Sequence, residues 1–403
     1  MLNVKVGLVG KMDMLKTKNL AKNREKVIAA APQGGLAKTE PANVLASDMH
    51  PEFQKVYIDR IDEQSHDAKT FVLKSCNGEA LAPFRPGQFI TVSVKIGNTL
   101  TTRSYSICST PLLSRYGEYN ITVKKTEDGF VSPWIHDNWQ VGDEITISGP
   151  QGYLFYEPGR DTQHVIGVAG GSGITPFFSM AKSIRDGAEM FRLTLIIGAR
   201  TEDDIMFREK LEEITKATSR VKLVYVLSDE EKEGYEHGFI TADILRKYAG
   251  DGEFTLFMAG PQAMYDFVGA EAAKLGLRRK FIRPETYGTI HNPWEFPGYP
   301  QECHGKVFNL RVRRFNEECT IPCSADESVL VAIERAGIPA PSRCRSGECG
   351  WCRSKLVSGD VFIPEKTDGR RAADKDFGYI HPCSTFPLSD LQIIIPGNYI
   401  EYN

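Results

Sequence analysis

No apolar stretch in this chain reaches the ~18 residues that a bilayer-spanning helix needs, so the sequence offers no membrane segment. Neither sign of charge dominates: 49 Lys and Arg face 52 Asp and Glu, a net charge of −3. That balance gives no global attraction to nucleic acid or to an anionic membrane. The N-terminus carries lysines without a compact apolar stretch ending at a small-residue cleavage site, and a cytoplasmic setting is expected. No internal repeat is visible. A disulfide scaffold is a poor match as well, because 403 residues and nine cysteines do not resemble the short, evenly paired secreted type. With 41% apolar residues the chain has material for sizeable cores, and its length fits roughly two to four domains.

What the chain does have is a cysteine pattern. Cys344–Arg345–Ser346–Gly347–Glu348–Cys349–Gly350–Trp351–Cys352 reads C-x4-C-x2-C, and Cys383 follows after a long gap in His381–Pro382–Cys383. Thiolates at Cys344, Cys349, Cys352 and Cys383 suit a plant-type [2Fe–2S] cluster, with one tight loop supplying all but the last. A structural zinc site is the competing reading, although its knuckles usually come as two separate pairs. Cys76, Cys108, Cys303, Cys319 and Cys323 read as reduced thiols. Before the loop, Ser324–Ala325–Asp326–Glu327 has the S-x-x-E form of a capping box, with Asp326 as the alternative cap. Val329, Leu330, Ala332, Ile333 and Ala336 recur at helical spacing, and Gly337 is a stop signal. Alone, this helix is equally an ordinary core-facing one. Helix, loop and cysteine spacing together resemble a plant-type ferredoxin domain over residues 306–403. That resemblance implies an α+β, ferredoxin-like β-grasp fold.

The rest divides by texture, so the fold is expected to be multidomain. Residues 1–50 are Lys- and Ala-rich, broken at Pro32–Gln33–Gly34–Gly35, and read as a partly helical extension. Residues 51–157 carry short strands such as Gln88–Val94 and Tyr119–Val123, punctuated by turns such as Pro86–Gly87; this predicts an antiparallel β-barrel or sandwich. Residues 158–290 alternate apolar runs, at Val165–Val168, Leu193–Ile197, Leu223–Leu227 and Leu256–Met258, with helical stretches. That pattern predicts an α/β domain with a parallel sheet. Residues 291–305 are rich in Pro and Gly and read as a linker.

Two motifs fall in the strand-rich segment. Arg103–Ser104–Tyr105–Ser106 follows Thr101–Thr102 at the end of a candidate strand. A flavin needs a cation near its phosphate, an aromatic beside its ring and a small donor near N5. Alternation along a strand places Arg103 and Tyr105 on one side, with Ser106 toward the ring edge. The plain alternative is a solvated strand edge. Gly129–Phe130–Val131–Ser132 is the second motif, with an ordinary strand–helix turn as its alternative. In the α/β segment, Gly170–Gly171–Ser172–Gly173–Ile174–Thr175–Pro176 lies between a strand and a helix. Its backbone N–H groups and helix terminus suit a pyrophosphate. It is not G-x-G-x-x-G, since the third glycine is missing.

In this order the motifs resemble those of the ferredoxin–NADP reductase family: R-x-Y-[ST] at Arg103–Ser106, G-x-x-S at Gly129–Ser132, and the glycine-rich nicotinamide loop. The resemblance implies that Arg103, Ser104, Tyr105, Ser106, Gly129, Val131 and Ser132 hold a flavin, FAD in preference to FMN. It places Gly171, Ser172, Gly173, Thr175, Pro176, Gly260 and Pro261 at the nicotinamide nucleotide, and Ser106, Thr175, Glu285 and Tyr287 around the reacting atoms. Tyr287, in Glu285–Thr286–Tyr287, would cover the flavin until nicotinamide displaces it; a core tyrosine is the other reading. Ala259–Gly260–Pro261 departs from the family's usual Cys-Gly-Pro, which removes the thiol that faces the nicotinamide.

Ser228–Asp229–Glu230–Glu231 follows the third strand of the α/β segment. Carboxylates there repel a 2′-phosphate and accept bonds from a free ribose hydroxyl, so NADH is expected at Asp229. Arg200 and Lys232 keep NADPH open, and a solvated loop is the plain reading. The domain order resembles reductases that serve Rieske oxygenases and hybrid-cluster proteins. It implies hydride transfer from NADH to the flavin, then single electrons to the cluster and to an outside redox acceptor such as an oxygenase, a hybrid-cluster protein or another reductase. Alternatives are an electron-transfer subunit of a larger enzyme, such as that of dihydroorotate dehydrogenase, whose last ligand lies closer to the third, and a non-catalytic redox or zinc-bearing module. Arg343, Arg345, Arg353 and Lys355 surround the cluster loop and suggest a basic docking face; pairing with local carboxylates is the alternative.

Overall fold

The structure, a computed structural model, describes residues 8–30, 40–285 and 287–396. The chain forms two units, Met1–Met49 and His50–Asn403. The first holds helices α1 (Leu8–Ala30) and α2 (Pro41–Met49), in keeping with a Lys- and Ala-rich composition; the Pro32–Gly35 break lies outside the described residues. No described helix is long and apolar enough to cross a membrane.

The second unit opens with an antiparallel six-stranded sheet of β1 (Phe53–Ser65), β2 (Ala68–Ser75), β3 (Phe89–Ile96), β4 (Thr99–Ser106), β5 (Glu118–Lys124) and β6 (Glu144–Ser148), in the order β4-β3-β6-β1-β2-β5. Short helices α3 (Pro111–Ser114) and α4 (Ser132–Asn138) interrupt it. Alternation decides which side faces in. Ile90, Val92 and Val94 of β3, with Tyr119, Ile121 and Val123 of β5, enter one core with Phe71 and Ile147. A bridge between Ile107 and Ile121 ties the end of β4 back to β5 and curls the sheet into a barrel.

The next layer is a sheet of β7 (His164–Gly170), β8 (Arg192–Ala199), β9 (Val221–Leu227), β10 (Glu236–His237), β11 (Thr255–Ala259) and β12 (Ile282–Pro284), ordered β10-β9-β8-β7-β11-β12. Every pairing in it is parallel. Helices α5 (Ile174–Arg185), α6 (Arg208–Ala217), α7 (Ala242–Ala249) and α8 (Gln262–Ala273) make the crossovers. Cover on both faces explains why β11 is buried throughout. The strand order reverses at β7, flanked by β8 and β11, and in such sheets ligands bind outside the strand ends at that point.

The last layer contains β13 (Val307–Arg314), β14 (Glu317–Ser324), helix α9 (Val329–Arg335), β15 (Ser354–Ser358), β16 (Val361–Phe362), helix α10 (Ala372–Asp376), β17 (Tyr379–Ile380), β18 (Phe386–Pro387) and β19 (Leu391–Ile394). Its main sheet runs β14-β13-β19-β15-β17, with β13 parallel to β19. Val329, Leu330 and Ile333 of α9 pack on Leu310, Val312 and Ile393 of the sheet, a β-grasp arrangement. The α9 start differs from expectation. The N-cap is Ser328, whose Oγ accepts from Val331 N at 3.4 Å. Ser324 and Glu327 instead close a turn just before it, with Ser324 N donating to Glu327 at 2.9 Å. Asp326 is engaged elsewhere, accepting from Gly305 N at 3.0 Å. The Pro/Gly-rich segment packs rather than dangles: Tyr299 and Cys303 join Ala325, Phe362 and Phe386 in a small core.

Candidate functional site

Strand β4 organises the site. Arg103 and Tyr105 line a cavity of about 830 Å³, joined there by Ser106, Gly129, Val131 and Ser132 of the barrel. The nucleotide domain adds Ser172 and Thr175, and the cluster loop adds Cys344. Arg103 is held by Thr101 Oγ1 and the Thr102 carbonyl, each at 2.7 Å. Burial, aided by repulsion from Arg345, lowers its pKa to about 10, which leaves the guanidinium charged at neutral pH. The Ser106 hydroxyl lies 3.0 Å from the Tyr287 hydroxyl, and the Tyr287 ring leans on Phe89, centroids 5.3 Å apart. Beside them Glu285 is buried and its Oε1 has no partner. Burial raises the Glu285 pKa to about 8, against a hydrogen bond from Ser106. Burial likewise pushes the Tyr287 phenol up.

The glycine-rich loop sits at the C-terminal end of β7, where the sheet order reverses. Gly171–Gly173 forms one 3-10 turn leading into α5, and Thr175 Oγ1 locks it by donating to Ser172 O at 2.8 Å. Pro176, in the first turn of α5, is buried. Gly173 is required by close approach: a Cβ there would lie 2.0 Å from Ala259 O at the end of β11. That contact brings the loop against Gly260 and Pro261. Asp229 is exposed and accepts from Arg200 Nε at 2.9 Å. Glu230 accepts from Glu202 N at 2.9 Å.

The cluster loop is pinned to the same strand. Thr102 Oγ1 meets Ser342 Oγ at 2.7 Å, and Ser104 Oγ donates to Arg343 O at 2.9 Å. Gly288 N donates to Cys344 O at 2.9 Å. Within the loop, backbone N–H groups aim at sulfur: Cys349 N to Cys344 Sγ and Gly347 N to Cys383 Sγ, both at 3.3 Å. Cys352 Sγ and Cys383 Sγ are 3.4 Å apart. Such amide–sulfur bonds stabilise thiolate charge, so the donor set fits an iron–sulfur cluster. Gly347, at φ +87°, has no room for a side chain beside Thr367 O.

The cations expected to make a basic docking face are each engaged locally. Arg345 is 2% exposed and bidentate to Glu334, at 2.5 and 2.9 Å. Arg353 pairs with Asp374 and covers the Tyr379 ring, and Lys355 donates to Phe377 O. Arg343 stacks on Trp351, 3.5 Å from the ring centroid. Arg345 and Arg353 are paired with Glu334 and Asp374 rather than with Glu348, while Arg343 lies on an aromatic ring and Lys355 on a backbone carbonyl. Sequence reasoning missed Glu334 and Thr101, whose 3.0 Å hydrogen bond joins the ferredoxin helix to β4. An acidic residue inside the apolar face of α9 was the available signal.

Comparison with known proteins agrees with this geometry. Residues 55–156 match the oxidoreductase FAD-binding domain family, 168–269 the oxidoreductase NAD-binding domain family, and 313–388 the 2Fe-2S iron-sulfur cluster binding domain family. The glycine betaine monooxygenase reductase subunit of Chromohalobacter salexigens is 29% identical over 347 residues, 83% of this chain and 93% of its own. NADH-cytochrome b5 reductase 1 of Candida glabrata is 30% identical over 260 residues, 63% of this chain and 89% of its own. Phthalate dioxygenase reductase has a solved structure with a TM-score of 0.61 and 25% identity, over 85% of this chain and 98% of its own. The chain belongs to the ferredoxin–NADP reductase family, in the form with a fused C-terminal [2Fe–2S] ferredoxin domain. It is an oxidoreductase that carries electrons from NADH by way of FAD and a [2Fe–2S] cluster to an acceptor.

Proposed function

We propose that the protein is the reductase component of an oxygenase system, and that its electrons leave through the cluster loop. The observation that carries this reading is that Cys344 lines the same cavity as Arg103, Tyr105 and Tyr287. Groups held by these residues would face one another across that one cavity. When bound, FAD takes up a hydride and releases single electrons, and the cluster carries one at a time. Arg103 holds the flavin phosphate, with Gly129, Val131 and Ser132 beside it. Tyr105 and Tyr287 would lie beside the ring, with Ser106 as the donor available to it. Gly171–Pro176 and Gly260–Pro261 seat the nicotinamide end. Glu285, buried beside Ser106 and Tyr287 with its pKa raised to about 8, adds a carboxyl that is largely protonated at pH 7. Cys344, Cys349, Cys352 and Cys383 ligate the cluster. Support for an oxygenase acceptor comes from the relatives, a monooxygenase reductase subunit and a dioxygenase reductase.

Asp229 sets the nucleotide preference toward NADH. It pairs with Arg200, a cation that would otherwise be free to meet a 2′-phosphate. Steady-state reduction of a dye with each nucleotide tests this, and a higher kcat/KM for NADPH overturns it. The acceptor is tested by adding a purified Rieske-type oxygenase to the NADH-reduced protein. Oxidation of the cluster at a rate that saturates with oxygenase is expected, and indifference to the oxygenase would refute that partner.

A further inference from the structure

The cavity at β4 is not enclosed by the barrel and the nucleotide domain alone. Asp326, Glu327, Ser328, Val331 and Arg335 of the ferredoxin domain also wall it. Val331 and Arg335 are four residues apart, and so share one face of α9. Arg335 is half-exposed; its Nη2 donates to Glu327 at 2.5 Å and to Pro322 O at 3.1 Å, and its Nε reaches Glu327 at 3.4 Å. Its Nη1 takes no part in these bonds.

The position of Arg103 says which part of the flavin meets this wall. Arg103 donates to Thr101 Oγ1, and Thr101 donates to Glu334, the residue before Arg335. The cation assigned to the flavin phosphate is therefore two hydrogen bonds from the ferredoxin helix. The ring end is fixed elsewhere, by Ser106, Tyr287 and Thr175. What extends past the phosphate in FAD, and is missing from FMN, is the adenosine half.

We propose that the ferredoxin domain forms the adenosine side of the FAD site, with Val331 against the adenine and the Glu327–Arg335 pair at its polar rim. This rests on the flavin reading of the cavity. It makes FAD a tie between barrel and ferredoxin domain, so that loading the cofactor also seats the cluster loop. Val331 is the apolar contact in a wall otherwise made of Asp326, Glu327, Ser328 and Arg335, and ligand subsites combine apolar contact with a few placed polar groups.

The test is reconstitution of the full chain, stripped of flavin, with FAD and separately with FMN, followed by fluorescence quenching. Val331→Trp fills the wall, and Arg335→Ala removes the rim cation. Each is expected to weaken FAD by about tenfold or more, equivalent to about 1.4 kcal/mol, while FMN affinity stays at the wild-type value. The visible cluster spectrum reports that the domain is folded. Equal changes for FAD and FMN, or none, in the variant that keeps its cluster spectrum would overturn the proposal. Failure of the wild-type chain to bind either flavin would instead overturn the flavin reading itself.

Discussion

Glu285 shows how burial can set a pH response, here against an opposing hydrogen bond from Ser106. Its carboxyl ordinarily titrates near 4.5 and is raised to about 8 in the folded chain. Below 4.5 both states hold the proton. Between those values the unfolded chain releases it and the folded chain keeps it, so stability falls as pH rises through the window. Glu285→Gln is expected to flatten that fall, by a few kcal/mol in order of magnitude, as read by melting temperature against pH. An identical slope in the variant would refute the assignment. Cys349 gives a second residue-scale prediction. It is the exposed member of the cysteine set, and Cys349→Ser is expected to bleach or shift the iron–sulfur absorbance while NADH still reduces the flavin. Loss of flavin reduction with an unaltered cluster would reverse the assignment. The cysteine positions were legible because ligand spacing is local. Arg345 was not, because its basic character in the sequence gave no hint of Glu334, eleven residues earlier and across the helix–loop turn.

At the level of elements, the strands were legible and their ends were not. β8, β9 and β11 were visible as apolar runs because both faces of a parallel sheet are covered. The cap of α9 was misplaced because Ser324–Glu327 and Ser328 offer overlapping signals, and only the path of β14 decides that the former pair closes a turn. Gly173 links two elements and carries a prediction. Its missing Cβ lets the loop after β7 lie against Ala259 O, and a methyl there would also sit 2.6 Å from Gly260 N. Both neighbours are backbone and cannot swing aside. Gly173→Ala is expected to cost about 1–3 kcal/mol and to raise KM for NADH, with the cluster spectrum unchanged. A wild-type KM in a folded variant would show that the nucleotide does not use this approach.

At the scale of the whole molecule, electron flow depends on how the ferredoxin domain is held against β4, and here the sequence was silent. Thr101 and Glu334 are 233 positions apart, and no local pattern reports such a meeting. The joint is a buried network: Glu334 accepts from Thr101 and, bidentately, from Arg345, while Ser342 and Thr102 bond beside it. Glu334→Ala strips Arg345 of its countercharge inside the protein, a change that typically costs about 3–5 kcal/mol. Thr102→Val removes only one neutral hydrogen bond, worth about 1 kcal/mol. Glu334 bears on Arg103 by way of Thr101, and Thr102 by way of its carbonyl, so with the flavin fully loaded its bleaching in a stopped-flow mixer is expected to change far less than cluster reduction in both variants. Cluster bleaching should lag several-fold or more in Glu334→Ala, because electron tunnelling falls off steeply with the separation of the two groups, and by much less in Thr102→Val. If cluster reduction keeps pace with the flavin in a Glu334→Ala protein whose cluster is intact, this joint does not govern the transfer, and the short path past Cys344 must be held by the remaining contacts of the loop.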